Sequence, residues 1–522
     1  MSCFRAGKAS DTKKPNVLRR LGSVEGFQSV QHLRGYYYAC GVTCRYAIPR
    51  ASGSDLHLRG STLRDVFERA LALVILHHPF LQAGIANEGS RKPLWVKLNS
   101  IDLGKEVQWQ RVEPSEKYDE VVCRILEKKH DTRFPDLERR PSWRIIVLES
   151  SDLTSLDVLF VWNHAIADGM SGKIFHQTLL EKLNVAPSET GIIDLNEHVL
   201  QLPKSLQFTP PLEKLIKFPL SAGFIVSEGW RAFRPPSLVP ANPYAASWAP
   251  FEVSSNQTRL CLVTIQNTEL KNVLQLCRHR ETTLTGLLHG LTLASMAKRI
   301  PKEKAQAFES GTPIDLRRFM TPSPGVDSEF RPDRTIGNFV TYFSSRFDKT
   351  IVEKLRQHFI QSKTDADVDG SFEAIIWSVA KEFRHDISKK LERGPRNDTV
   401  GLAKLVTDWR TYMKDEAKKP RAVSWEFSNI GVIDATVASR EDASEKQEDW
   451  IIDRALFSQS SAALGPAIVF SPIAVKGKDL VICCSWQSKV VEDALVEGVA
   501  ADLQAWLEDL GTDGQLHVGQ RD

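Results

Sequence analysis

His164 is followed by Ala-Ile-Ala and then by Asp168 and Gly169, which puts an imidazole and a carboxyl close together in the chain. Imidazole has an ordinary pKa of about 6.5, so at neutral pH it offers an unprotonated nitrogen that can accept a proton. A base of this kind needs one nitrogen facing substrate and the other held by an acceptor. Asp168 could orient the ring, or it could turn away and lock the loop through a cation; the spacing leaves both open. Gly169 admits a positive φ or a close helix approach that a side chain would block.

The surrounding elements must position this pair. Residues 156–162 read as a strand, with Leu156, Val158, Phe160 and Trp162 on one face and Leu159 and Val161 on the other. Apolar residues on both faces indicate a central strand covered from two sides. His164 keeps the parity of Phe160 and Trp162 but falls where the strand ends. After Gly169 the pattern turns helical, with Phe175, Leu179 and Leu183 four apart. The pair therefore sits at a strand-to-helix junction, where α/β proteins present reactive groups. A second strand is predicted over 143–149. Thr62 and Asp65 form a capping pair for a helix over 62–76, which must stop near Pro79, and another helix is predicted over 117–129.

A chain of 522 residues exceeds the size at which one hydrophobic core stops growing, about 250–300 residues. Two mixed α/β lobes are expected, over 17–190 and 256–510. Residues 191–255 form a connecting crossover rich in proline, including Pro203, Pro210, Pro211 and Pro219. The second lobe should open with a strand over 258–265 and helices from about 268 and from 283 to 298. Strands over 421–427, 467–470 and 480–486 follow, and an amphipathic helix around Leu495, Val499 and Leu503 closes it. Residues 1–16 and 511–522 are expected to be tails, and 363–370 and 434–448 surface loops.

With 68 basic against 65 acidic residues the chain carries no nucleic-acid footprint. No C-x-x-C pair occurs among its eight cysteines, so neither a zinc ribbon nor a thiol redox centre is suggested, and Cys483-Cys484 reads as buried packing. A metal hydrolase built on His164, Asp168 and His176 is the first rival reading, but the spacing lacks the usual zinc pattern, and no metal is expected. Residues 1–15 lack the apolar core of a secretory signal, and no apolar run reaches about 18 residues, so a cytoplasmic protein is expected.

Beyond the histidine run, several blocks occur in a fixed order. They are Leu18-Arg-Arg-Leu-Gly-Ser-Val-Glu25, His78-Pro79-Phe80-Leu81, Pro141-Ser-Trp-Arg144, Ile314-Asp-Leu-Arg317, Ile336-Gly-Asn-Phe339, Phe427-Ser-Asn-Ile-Gly431, Phe457-Ser-Gln-Ser460, Val469-Phe-Ser471 and Trp486-Gln487. Together with His164–Gly169, they make the sequence resemble the fungal alcohol acetyltransferase family. That family is a branch of the superfamily of chloramphenicol acetyltransferase, plant BAHD acyltransferases and peptide-synthetase condensation domains. The resemblance covers residues 17 to about 490. The plant branch's Asp-Phe-Gly-Trp-Gly block is absent, which places the chain nearer the fungal branch and leaves the CoA contacts unassigned.

The resemblance implies two chloramphenicol-acetyltransferase-like lobes with His164 in a tunnel between them. It implies acetyl-CoA or another acyl-CoA as co-substrate, no permanently bound cofactor, and a small hydrophobic alcohol or secondary metabolite as acceptor. It also implies that Asp168 turns from the substrate to pair with an arginine, best matched by Arg317, with Arg318 competing. Ser428 and Asn429 become candidates for the oxyanion or acyl site. Thr282, Thr283, Thr285 and His289 lie on a helix that could border the CoA route, with His289 more simply a helix-face residue. Acylation of an amine by the same base, and a non-catalytic binding relative, are the alternatives. A monomer is expected. Relatives that associate with membranes or lipid droplets draw attention to 212–233, but Pro219 interrupts that segment, so membrane contact would be at most peripheral.

Overall fold

Phe160 and Trp162, on one face of the Ser155–Trp162 strand, stack on each other, and Phe160 also stacks on Phe175 with ring centroids 3.9 Å apart. Phe175 belongs to the Gly169–Leu183 helix, so the helix that follows the His164 turn folds straight back onto the strand that precedes it. Gly172 allows that approach: a Cβ there would lie 2.5 Å from Trp162 and 2.6 Å from Val42. This strand–turn–helix unit is the frame of the first lobe. The computed structural model describes residues 16–49, 62–185, 195, 197–233, 242–248, 257–320, 330–361, 369–435 and 449–517.

The first lobe holds a five-stranded sheet in the order Ile451–Gln459, Cys40–Ala47, Ser155–Trp162, Trp143–Glu149 and Val107–Arg111. The last junction is parallel and the others antiparallel. The Leu63–His77 helix starts at the expected capping box of Thr62 and Asp65, and the Tyr118–His130 helix also matches its predicted place. The Ile451–Gln459 strand departs from the expected lobe boundaries: it lies late in the chain yet forms the edge of the first sheet. A bulge between Ile452 and Arg454 breaks its alternation, which hides it in the sequence.

The second lobe has a seven-stranded sheet, in the order Thr258–Ile265, Leu480–Gln487, Ile468–Val475, Trp425–Phe427, Phe308–Asp315 and Val340–Phe347, with Gly431–Ile433 pairing beside Ile468–Val475. One face carries Trp425, Phe427 and Phe347 into a core shared with the Leu284–Arg299, Asp369–Arg393 and Asp493–Thr512 helices. The opposite face looks toward the first lobe. There Ile473, Val475, Val481 and Cys483 join the first lobe's core. Strand alternation puts Glu309, Gly311, Tyr342, Glu426 and Ser471 on that same side.

The last helix runs through Thr512, so the expected C-terminal tail begins later than 511. Residues 1–15 of the expected tail, parts of the crossover, and most of the loops at 363–370 and 434–448 lie outside the described residues. Within the crossover, the Ala222–Phe233 helix exposes Ile225, Val226 and Trp230 rather than packing them. Among the described residues no helix is long and apolar enough to cross a membrane.

Removing the Phe175 ring would leave a cavity between the helix and the central strand. Phe175→Ala is expected to lower unfolding free energy by about 3–5 kcal/mol, read as a shifted midpoint in denaturant melts.

Candidate active site

The strand ends at Trp162, and residues 163–168 make a turn stitched by its own backbone. Asn163 accepts from the Ala165 amide through Oδ1 at 2.9 Å, and its carbonyl accepts from Ile166 N at 3.0 Å. The Ala167 carbonyl is thereby aimed back at the ring of His164, whose Nδ1 lies 2.9 Å away. Trp162 Nε1 donates to the same oxygen at 2.8 Å. A carbonyl can only accept, so Nδ1 carries the proton and Nε2 holds the free lone pair. Nε2 makes no hydrogen bond among the described residues, and the ring keeps accessible surface although it lies deep in the protein. Burial lowers the His164 pKa from its ordinary value, partly offset by the charge of Asp168 and by backbone acceptors including Ala167. The ring is thus neutral at pH 7, with the lone pair of Nε2 unused by the fold among the described residues.

Asn338 is a functional neighbour that the sequence reading did not assign. Its Nδ2 donates to the His164 carbonyl at 2.7 Å and lies 3.2 Å from Nδ1. Because Nδ1 is itself a donor, the firm bond is the one to the carbonyl, and Asn338 pins the backbone beneath the base. Tyr37 faces the ring from the other side, with centroids 5.7 Å apart.

Asp168 does not touch the imidazole ring through any hydrogen bond. Its Oδ1 accepts from Ser171 N at 2.9 Å, Ser171 Oγ at 2.8 Å and Arg317 Nη2 at 3.0 Å. Its Oδ2 accepts from Arg317 Nη1 at 2.8 Å and Phe339 N at 2.9 Å. The carboxylate caps the Gly169–Leu183 helix and meets the guanidinium in a two-pronged pair. Arg317 also bonds Asp315 and the Thr335 and Gly337 carbonyls, and lies over the Phe339 ring. Burial alone would raise the Asp168 pKa, but the Arg317 charge and these hydrogen bonds outweigh it and hold the carboxyl below its ordinary value. Arg318, the competing candidate, is exposed.

Gly169 has no positive φ; its need is for space. A Cβ there would sit 2.7 Å from Ile430 and 2.9 Å from Phe457. Both neighbours belong to blocks from the late part of the chain, so the turn is packed against them. Ser428 continues the Trp425–Phe427 strand by donating its amide to the Phe470 carbonyl, and its hydroxyl makes no hydrogen bond among the described residues. Asn429 is committed differently: Nδ2 donates to Thr285 Oγ1 at 3.1 Å and Oδ1 accepts from Gly431 N at 2.8 Å. It shapes the turn at Gly431, whose φ is 77°. His176 does not join His164. Its nitrogens meet Tyr46 Oη at 2.8 Å and the Val42 carbonyl at 2.9 Å in the core. His289 is likewise buried, between Thr312, Ser310 and Trp425.

Residues 107–497 match the family model for alcohol acetyltransferases. The chain is 27% identical to the probable alcohol acetyltransferase FCK4 of Fusarium pseudograminearum, covering 97% of each chain. It is 25% identical to the probable alcohol acetyltransferase crmB of Aspergillus fumigatus, covering 93% of this chain and 98% of that one. Its fold is similar to that of the TRI3 trichothecene 15-O-acetyltransferase of Fusarium sporotrichioides, with a TM-score of 0.66, 14% identity and 94% of each chain covered. The first condensation domain of the CDA synthetase shares the fold at a TM-score of 0.55, with 12% identity over 95% of this chain and 97% of that one.

Asp168→Asn removes the fully buried one of the two carboxylates that Arg317 meets while keeping the shape, and is expected to cost about 3–5 kcal/mol of stability at pH 7 by denaturant titration. Because the folded carboxyl titrates below its unfolded value of about 3.9, its contribution is full above that pH and is lost as pH falls through the folded pKa. The stability gap between wild type and variant should therefore narrow on acidification below about pH 4.

Proposed function

This chain belongs to the alcohol acetyltransferase family, and on that premise we propose that it moves an acetyl group from acetyl-CoA to a hydroxyl of a hydrophobic alcohol or secondary metabolite, with His164 as general base. The observation that carries the proposal is the Nδ1–Ala167 bond, which leaves Nε2 unprotonated and free to accept a proton. Nε2 takes the proton from the acceptor hydroxyl as its oxygen attacks the thioester carbonyl. The carbonyl π electrons move to oxygen and a tetrahedral oxyanion forms. Collapse re-forms the carbonyl and breaks the carbon–sulfur bond, and His164 passes the proton to the departing CoA thiolate.

Donor and acceptor meet directly on the protein in this scheme. No thiol is assigned to a covalent intermediate, and burial raises the pKa of Cys40, Cys44 and Cys483 well above ordinary thiol values, which disfavours their thiolates at neutral pH. Ser428 is the candidate oxyanion donor because its hydroxyl is unused by the fold. Asp168 and Arg317 are positioning residues that hold the turn on which His164 stands. Acyl-CoA is a co-substrate, and no resident cofactor or metal enters the chemistry.

Free thiol release from acetyl-CoA, measured across a panel of alcohols and amines, tests the proposal. His164→Ala is expected to lower turnover about 10²–10⁴-fold, and wild-type turnover in that variant would refute the role. With the His164 pKa lowered by burial, the acid limb of kcat/KM should fall below pH about 6.5, since the neutral base persists to lower pH. Ser428→Ala is expected to reduce kcat about 10²–10³-fold if it supplies an oxyanion donor, checked in the same assay with KM followed separately.

A further inference from the structure

Glu426 is an anomaly that acyl transfer by His164 does not use. It lies in the middle of the second lobe's sheet, 8% exposed, on the face turned to the first lobe. No lysine, arginine or histidine pairs with it among the described residues; its neighbour Glu309 has Arg346 at 3.2 Å, but Glu426 has none. Burial pushes its carboxyl up to about 7, against the lowering effect of the neighbouring Tyr342 hydroxyl. Burying an ionisable group without a counter-charge costs stability, so a carboxyl kept in this way calls for a role.

The contact with Tyr342 is built into the backbone. Tyr342 lies across Gly311, the residue in register with Glu426 on the adjacent parallel strand. A Cβ at Gly311 would overlap the Tyr342 hydroxyl, so glycine is what lets the phenol lie flat and reach the carboxyl. Tyr342 has 37% of its surface accessible, yet it is deep enough for burial to raise its pKa well above the ordinary value. Depth combined with accessibility describes the wall of an internal space. On the strand that pairs with that of Glu426, Ser471 Oγ accepts from Gln459 Nε2 at 2.9 Å, Gln459 Oε1 accepts from the Tyr37 hydroxyl at 2.9 Å, and the Tyr37 ring stands 5.7 Å from that of His164. Glu426 and Tyr342 therefore lie on the face of the second sheet that is linked through Ser471, Gln459 and Tyr37 to the His164 side of the first lobe.

We propose that Glu426 and Tyr342 form the acceptor-recognition wall, hydrogen-bonding a second hydroxyl on the alcohol while the first is presented to His164. The acceptor is then a diol or more highly oxygenated molecule rather than a simple hydrocarbon alcohol. This rests on the acyl-transfer reading above. A carboxyl without a cation would repel the polyanionic CoA, whereas a neutral polyol suffers no such penalty and can both donate to and accept from the pair. A site built to bond a hydroxyl discriminates against the analogue that lacks it, because its own polar groups are left unpaired.

The test compares 1-decanol with α,ω-diols from butanediol to decanediol, using acetyl-CoA and thiol release by the full-length protein. The readout is the ratio of kcat/KM for the best diol to that for decanol. Glu426→Leu is expected to lower the ratio about tenfold or more, and Tyr342→Phe to lower it several-fold, with the loss in the acceptor's kcat/KM rather than in KM for acetyl-CoA. Should Glu426→Leu fail to fold by thermal melt, Glu426→Gln and Tyr342→Phe carry the comparison, with Gln retaining more of the ratio than Phe at position 342. A ratio unmoved in folded variants, or a rise confined to KM for acetyl-CoA, overturns the inference while His164-dependent thiol release keeps the acyl-transfer reading intact. Absence of His164-dependent release with every alcohol defeats both.

Discussion

The bidentate pair between Asp168 and Arg317 is the constraint on which the rest of the site depends. Asp168 ends the turn that carries His164 in the first lobe, and Arg317 lies two residues past the Phe308–Asp315 strand of the second. One ion pair thus ties the His164 turn to the opposite lobe, and its carboxylate caps the following helix and accepts from the Phe339 amide. Both partners are almost wholly buried, with side chains 0% and 5% exposed. Removing water from two charges offsets much of their attraction, so the pair's value is geometric: it holds the turn in one arrangement.

That geometry passes to the histidine without Asp168 touching it through a hydrogen bond. The carboxylate fixes residue 168, the turn fixes the Ala167 carbonyl, and the carbonyl fixes the proton on Nδ1. Asn338, in the segment that also supplies Gly337 and Phe339 around Asp168, holds the His164 carbonyl from the second lobe. His164 is therefore held in place by elements of both lobes.

Much of this was legible in the sequence. The capping box at Thr62 and Asp65, the two-faced apolar strand ending at Trp162, and the switch to helical spacing after Gly169 all reflect local physics and appear where expected. The ordered blocks carried the family resemblance. What the sequence withheld depends on contacts between distant segments. Ile451–Gln459 pairs with Cys40–Ala47 across some four hundred residues, and its bulge disrupts the two-residue period. Which of Arg317 and Arg318 meets Asp168 follows from a one-residue choice at the end of a strand. Asn338 lay in a recognised block, but nothing in its neighbours shows which carbonyl it would hold. Glu426 reads as an unremarkable residue until the register sets it beside Gly311 and Tyr342.

The central claim is that His164 is a neutral base with its proton on Nδ1 and its lone pair on Nε2. Nitrogen-15 NMR of histidine-labelled protein, with His164→Ala used to assign the signal, reads this directly. The structure predicts a pyrrole-like shift at Nδ1 and a pyridine-like shift at Nε2 for His164 at pH 7. A protonated ring at that pH, or a proton on Nε2 with Nδ1 bare, would contradict it.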